Sequence, residues 1–288
     1  TIHNAVCLHE EDDGILWKHT DWRTEEVEVR RSRRLVVSFV ATVGNYEYAF
    51  YWNFYQDGSL QLEVKLTGVV NTTSLLPGQK PRHGSEVAPQ LNAPFHQHIF
   101  NVRLDMHLDG DDNAVYEVSS KRVPRGKDNP HGNAFVAEER LLEDEGGAQG
   151  VCSLDASRYW KIVNRSVRNR LGNPVGYRLV PGENCLPFAH DDAAVIQRAG
   201  FLKKHLWVTP YRRDERYAAG DYPNQRAGGD GLPVWTAANR PGVDTDLVVW
   251  YTFGHTNIPR PDGLFDRNPS MDLRSEEHTS ELQSHPNH

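Results

Sequence analysis

The stretch from residue 34 to residue 66 restricts the fold of this chain more than any other. A β-branched and aromatic run fills 34–43, an aromatic-rich run follows at 46–55, and strict apolar–polar alternation occupies 60–66 after Asp57-Gly58. Residues of these types fit a pleated, half-buried surface, and the short polar breaks between them predict an antiparallel hairpin or meander. Further strands are predicted at 98–108, 113–123, 201–209 and 246–253, each bounded by Gly, Pro, Asn or Asp. Helical periodicity is weak, with candidates only at 134–143 and 192–198, and long loops are predicted at 77–94 and 217–241. No repeat or low-complexity linker interrupts the chain, so the expected fold is mostly β, one large antiparallel β-sandwich rather than a string of modules.

At 288 residues, 38% of them hydrophobic, the chain is long enough to bury a sizeable core. A net charge of -7 with scattered basic residues gives no electrostatic reason to expect nucleic acid or an anionic membrane as partner. No apolar run of about 18 residues and no leader-like segment is visible, and the first residue, Thr1, suggests a partial chain. Three cysteines, Cys7, Cys152 and Cys185, lack metal-finger spacing, so disulfides do not organise the fold, and the compartment stays undecided. The residues 274–284 read like the translation of a sequencing adapter, so 274–288 is set aside as a non-native tail, a natural polar tail being the alternative. His278, His285 and His288 are not counted as ligands.

Two features carry chemistry. His96-Gln97-His98 opens a strand-like run, and side chains two residues apart in a strand share a face, so both imidazoles can reach one ion such as copper, zinc, iron or nickel. A cupin would want a glutamate shortly after the second histidine, whereas the next acidic residue is Asp105. Upstream, Thr42-Val-Gly-Asn45-Tyr46-Glu47 follows a β-run and a glycine, and Tyr46 precedes His96 by 50 residues. By composition alone Tyr46 is one more strand aromatic.

Together these features resemble the copper amine oxidases, in which an Asn-Tyr-Glu or Asn-Tyr-Asp motif lies about that far ahead of a His-x-His pair. The resemblance extends over nearly the whole chain, through 16–22, the arginine cluster Arg30 to Arg34, 95–106 and 246–254. It implies that Tyr46 is the precursor of topaquinone, that His96 and His98 hold copper, that Asn45 orients the quinone ring and that Thr42 assists its formation. It also implies oxidative deamination of a primary amine with dioxygen, giving aldehyde, ammonia and hydrogen peroxide, in a homodimer. By the same resemblance Asp105, Met106, Asp246 and Leu247 supply oxygens to a second ion such as calcium or manganese, with His107 where relatives often have another aspartate.

The sequence departs from the family in three places. A third histidine is expected three residues after a glycine, but Gly254-His255-Thr256-Asn257 puts asparagine there. If the register follows the family, Asn257 faces the metal, and His255 sits about 6–7 Å along the strand, two residues at about 3.3 Å each. A weakened two-histidine site is then expected, with little self-processing of Tyr46, unless His255 substitutes as third ligand. After Arg260-Pro261 an acidic stretch is missing, as if the chain were spliced near 261. The family's aspartate base falls ahead of residue 1, and so does the partner of a disulfide that would use Cys7. Cys152 and Cys185 are most simply buried thiols.

The resulting domain assignment is one catalytic domain over 1–273. A catalytically silent fragment and a simple metal-binding sandwich of cupin or lectin type are the rival readings. Two sequons, Asn71-Thr72-Thr73 and Asn164-Arg165-Ser166, are short enough to occur by chance.

Overall fold

A computed structural model describes residues 2–224, 226–261 and 270–275. Among these residues sixteen strands run in chain order as β1 (Cys7–Thr20), β2 (Val27–Val43), β3 (Tyr46–Tyr55), β4 (Leu60–Gly68), β5 (Thr73–Ser74), β6 (Gly84–Ala88), β7 (Leu91–Pro94) and β8 (His96–Met106), then β9 (Ala114–Arg122), β10 (Phe135–Leu141), β11 (Gln149–Gly150), β12 (Tyr159–Arg168), β13 (Pro174–Pro181), β14 (Leu206–Pro210), β15 (Leu247–Asn257) and β16 (Ser270–Ser275). The only α-helices among the described residues are two short ones, α1 (Ala194–Arg198) and α2 (Leu232–Trp235). The chain is thus mostly β and antiparallel, as its sequence predicts.

Two compact units divide it, Thr1–His98 with His255–His278, and Ile99–Gly254. In the first, β1, β2, β3, β4 and β16 are successive antiparallel neighbours, with β5, β7 and β6 forming a small sheet of their own. The alternation read at 60–66 has its physical counterpart here: Leu62, Val64 and Leu66 are buried while the polar residues between them are not. Each such side chain contributes on the order of 1.5–3 kcal/mol by leaving water. In the second unit β13, β12, β9 and β10 are neighbours, and β11, β14, β15 and β8 form a further sheet. Trp207, Leu232, Val248 and Trp250 pack together there around α2 and β15.

Four local expectations differ. The segment 134–143 is not helical: β10 pairs antiparallel with β9, Phe135 opposite Arg122 through Leu141 opposite Tyr116. Its Ala, Glu and Arg residues favour helix locally, but Lys121–Glu138, Lys161–Glu139 and Arg140–Glu117 ion pairs tie the strand to its neighbours and give the edge a charged character. The predicted loop 77–94 holds β6 and β7, which turn tightly through Gln90 in the left-handed region, φ 61°. The predicted strand 201–209 begins as a 3-10 turn, Gly200–Lys203, before β14. The predicted loop 217–241 contains α2 and a 3-10 turn at Thr236–Ala238. The segment set aside as tail is described only through Ser275, within β16, and the missing acidic stretch adjoins residues 262–269, so both lie largely outside the described residues.

Candidate metal and cofactor centre

The site is built from two strand starts and one strand end, all in the first unit. Gly44 takes a left-handed conformation, φ 64°, and turns β2 into β3 so that Tyr46 begins the new strand. Alternation then puts Tyr46 and Tyr48 on one face, as it puts His96 and His98 on one face of β8. The two faces meet residue for residue. Tyr46 Oη lies 3.1 Å from His96 Nε2, and Tyr48 Oη lies 2.9 Å from His98 Nδ1. The imidazole centroids are 4.7 Å apart at 80°, and the Tyr46 ring stands 5.5 Å from one and 5.0 Å from the other. The phenol and the imidazole pair therefore stand side by side.

Protonation is constrained by the neighbours. The carbonyl of Pro94 can only accept, so His96 Nδ1–H donates to it at 2.9 Å and leaves Nε2 with its lone pair toward Tyr46. His98 is buried, and burial, followed by the nearby imidazoles of His96 and His255, holds its pKa down to about 4. It is thus neutral near pH 7, the form that binds metal.

A clasp formed after β4 secures the tyrosine turn. Gly68, φ 102°, passes so close that an added Cβ would lie 2.5 Å from the Asn45 carbonyl oxygen. Val69 N–H then donates to that oxygen at 2.8 Å, Asn45 Nδ2 donates to Asn71 Oδ1 at 2.9 Å, and Asn71 N–H donates to Tyr46 Oη at 3.3 Å. Asn45 is therefore held beside the ring it is expected to orient. Thr42 Oγ1 donates to the carboxylate of Glu47, the residue after Tyr46, at 2.9 Å.

The end of β15 supplies the third side of the pocket. Gln97 Nε2 donates to Thr256 Oγ1 at 2.9 Å, and this register brings Asn257 Nδ2 to 3.4 Å from His96 Nε2. Asn257 is the β15 side chain that reaches that nitrogen; His255, on the same strand face, acts on His98 through its charge. Among the described residues no group of three or more His, Cys, Asp or Glu side chains is placed to hold a metal ion.

The second expected ion site lies in the other unit. Asp105 and Met106 end β8, Leu247 begins β15, and Asp246 precedes it. Burial, and then the charges of Asp105 and Asp111, raise the pKa of Asp246. Arg103 pairs with Asp105 at 3.0 Å and His107 with Asp111 at 2.6 Å. The Asn164 sequon is buried: its amide donates to the carbonyls of Leu108 and Asp109, whereas Asn71 is exposed.

Tyr48, Pro94 and Asn71 are the residues that sequence reasoning missed. Tyr48 carried a usable signal, since it follows Tyr46 by the same two residues that separate the histidines.

The sequence matches the copper amine oxidase enzyme domain over residues 1–279. The chain belongs to the copper amine oxidase family. It is 48% identical over 300 residues to the primary amine oxidase of Arthrobacter sp. (strain P1), covering 98% of this chain and 46% of that one. It is 47% identical over 292 residues to the histamine oxidase of Arthrobacter globiformis, covering 96% of this chain and 42% of that one. The structure superposes on a copper-containing benzylamine oxidase from Hansenula polymorpha with TM-score 0.90 and 33% identity, over 96% of this chain and 44% of the other. This copper amine oxidase chain therefore spans less than half the length of these relatives.

Proposed function

We propose that the chain carries the copper- and quinone-bearing part of a primary amine oxidase, which converts a primary amine, dioxygen and water to aldehyde, ammonia and hydrogen peroxide. Tyr46 is the quinone precursor in this reading, and His96 and His98 are the copper ligands. The observation that carries it is the approach of Tyr46 Oη to 3.1 Å from His96 Nε2, with the His98 ring centroid 5.0 Å from that of the same tyrosine. The donor set fits: two neutral imidazoles suit copper, and both stand next to the phenol to be oxidised. Bound copper supplies activation of dioxygen beside the phenol, and the mature quinone supplies an electrophilic carbonyl for the amine.

The chain's own residues set the stage for that chemistry. Pro94 fixes the tautomer of His96, burial keeps His98 unprotonated, and the Asn45–Asn71 bond holds the turn from which Tyr46 projects. Assembly as a homodimer belongs to the same reading. A catalytically silent domain is the second reading, favoured by Asn257, because a neutral amide is a poor copper ligand where an imidazole is expected.

Phenylhydrazine separates the two. Protein incubated aerobically with excess copper is expected to develop an adduct absorption band, with the modification mapping to Tyr46 by peptide mass. Copper-saturated protein that gives no band and leaves Tyr46 at its unmodified mass supports the silent reading.

A further inference from the structure

Two tyrosines meet the two histidines, and they meet them on different nitrogens. Tyr46 approaches His96 at Nε2, the atom that Pro94 leaves with a lone pair, whereas Tyr48 approaches His98 at Nδ1. With Nδ1 engaged by the phenol, the nitrogen left to His98 for an ion is Nε2, matching the arrangement at His96. Metal-binding histidines commonly fix the ring by donating from the other nitrogen to a carboxylate, carbonyl or water. At His96 that partner is the Pro94 carbonyl. At His98 the phenol takes the same place.

We propose that Tyr48 is a positioning residue for the metal, orienting His98 and holding its Nδ1 so that Nε2 faces the ion; this rests on the copper reading of His96 and His98. A phenol suits the task because its hydroxyl both donates and accepts, so it follows whichever tautomer the ring adopts as the metal arrives. The two tyrosines thereby have opposite relations to the ion. Tyr46 competes with it for His96 Nε2, and Tyr48 supports it from behind His98.

That opposition gives the test. Copper affinity of the metal-free chain is measured by competition with a chelator, after far-UV circular dichroism shows each variant folded. Tyr48→Phe is expected to weaken copper about 10- to 100-fold, the usual loss when such a partner is removed. Tyr46→Phe is expected to bind copper as tightly as the unaltered chain or more tightly. Tyr48→Gln keeps a hydrogen-bonding group on that face and should recover part of the loss. Copper binding within threefold of the unaltered chain in Tyr48→Phe overturns the proposal, as does a Tyr48→Gln no better than Tyr48→Phe, which assigns the effect to ring packing. His96→Ala and His98→Ala separate this from the reading beneath it. If both bind copper undiminished, the metal site itself is elsewhere and the role of Tyr48 falls with it.

Discussion

Replacing Asn257 by histidine tests how much of the centre is intact. Two nitrogens bound to one metal at about 2.0–2.1 Å are about 2.9 Å apart at a right angle and about 3.3 Å apart in a tetrahedron. Asn257 Nδ2 stands 3.4 Å from His96 Nε2, close to the second value. A histidine at this position has its Nδ1 the same number of bonds from Cα as that amide nitrogen, so Asn257→His can place an imidazole nitrogen on the metal with little backbone movement. His255 has no such path, being two residues and about 6–7 Å away along the strand, and only a two-residue slip would bring it in. The expected result is a gain of at least tenfold in copper affinity for Asn257→His, about 1.4 kcal/mol, with a higher yield of phenylhydrazine adduct. His255→Ala should change affinity by less than about twofold, or roughly 0.4 kcal/mol. Chelator competition measures both. Loss of copper binding in His255→Ala, with no gain in Asn257→His, would refute the register argument and make His255 the third ligand.

Gly68→Ala should destabilise the chain and disturb the turn that carries Tyr46, because φ 102° alone costs a non-glycine residue about 1–3 kcal/mol and the new Cβ would meet the backbone of Asn45, Glu47 and Tyr46. Urea denaturation within about 0.5 kcal/mol of the unaltered chain would show that the clasp yields easily. His205 predicts a pH dependence in the second unit: it is buried, with Nδ1 accepting from Cys152 N–H and Nε2–H donating to the Cys185 carbonyl, and burial lowers its pKa. The unfolded chain therefore binds the proton more readily, and this contribution to stability, present above about pH 6.5, is lost as pH falls below it. His205→Gln should flatten that part of the stability–pH curve; an unchanged slope would assign the acid sensitivity to other groups.

How much the sequence discloses here depends on whether an interaction is local or paired. The β2–β3–β4 meander was legible because its runs alternate and its breaks contain Gly44-Asn45 and Asp57-Gly58, so each strand announces itself. The shared face of His96 and His98 followed from strand geometry alone. Segment 134–143 misled because Ala, Glu and Arg favour helix over a short window, whereas its actual conformation is decided by β9 alongside it and by charge pairs reaching across to Lys121, Lys161 and Glu117. Tyr48 shows the same limit in the site itself. Alternation fixes which way it points, but only the pairing of faces reveals that His98 Nδ1 is its partner. Residues 255 and 257 sharpen the point, since both share one face and alternation treats them alike. What separates them is a register of two residues, to which the Gln97–Thr256 and Asn101–Thr252 bonds both contribute, and in the copper reading that register decides whether the ligand set contains two imidazoles or three.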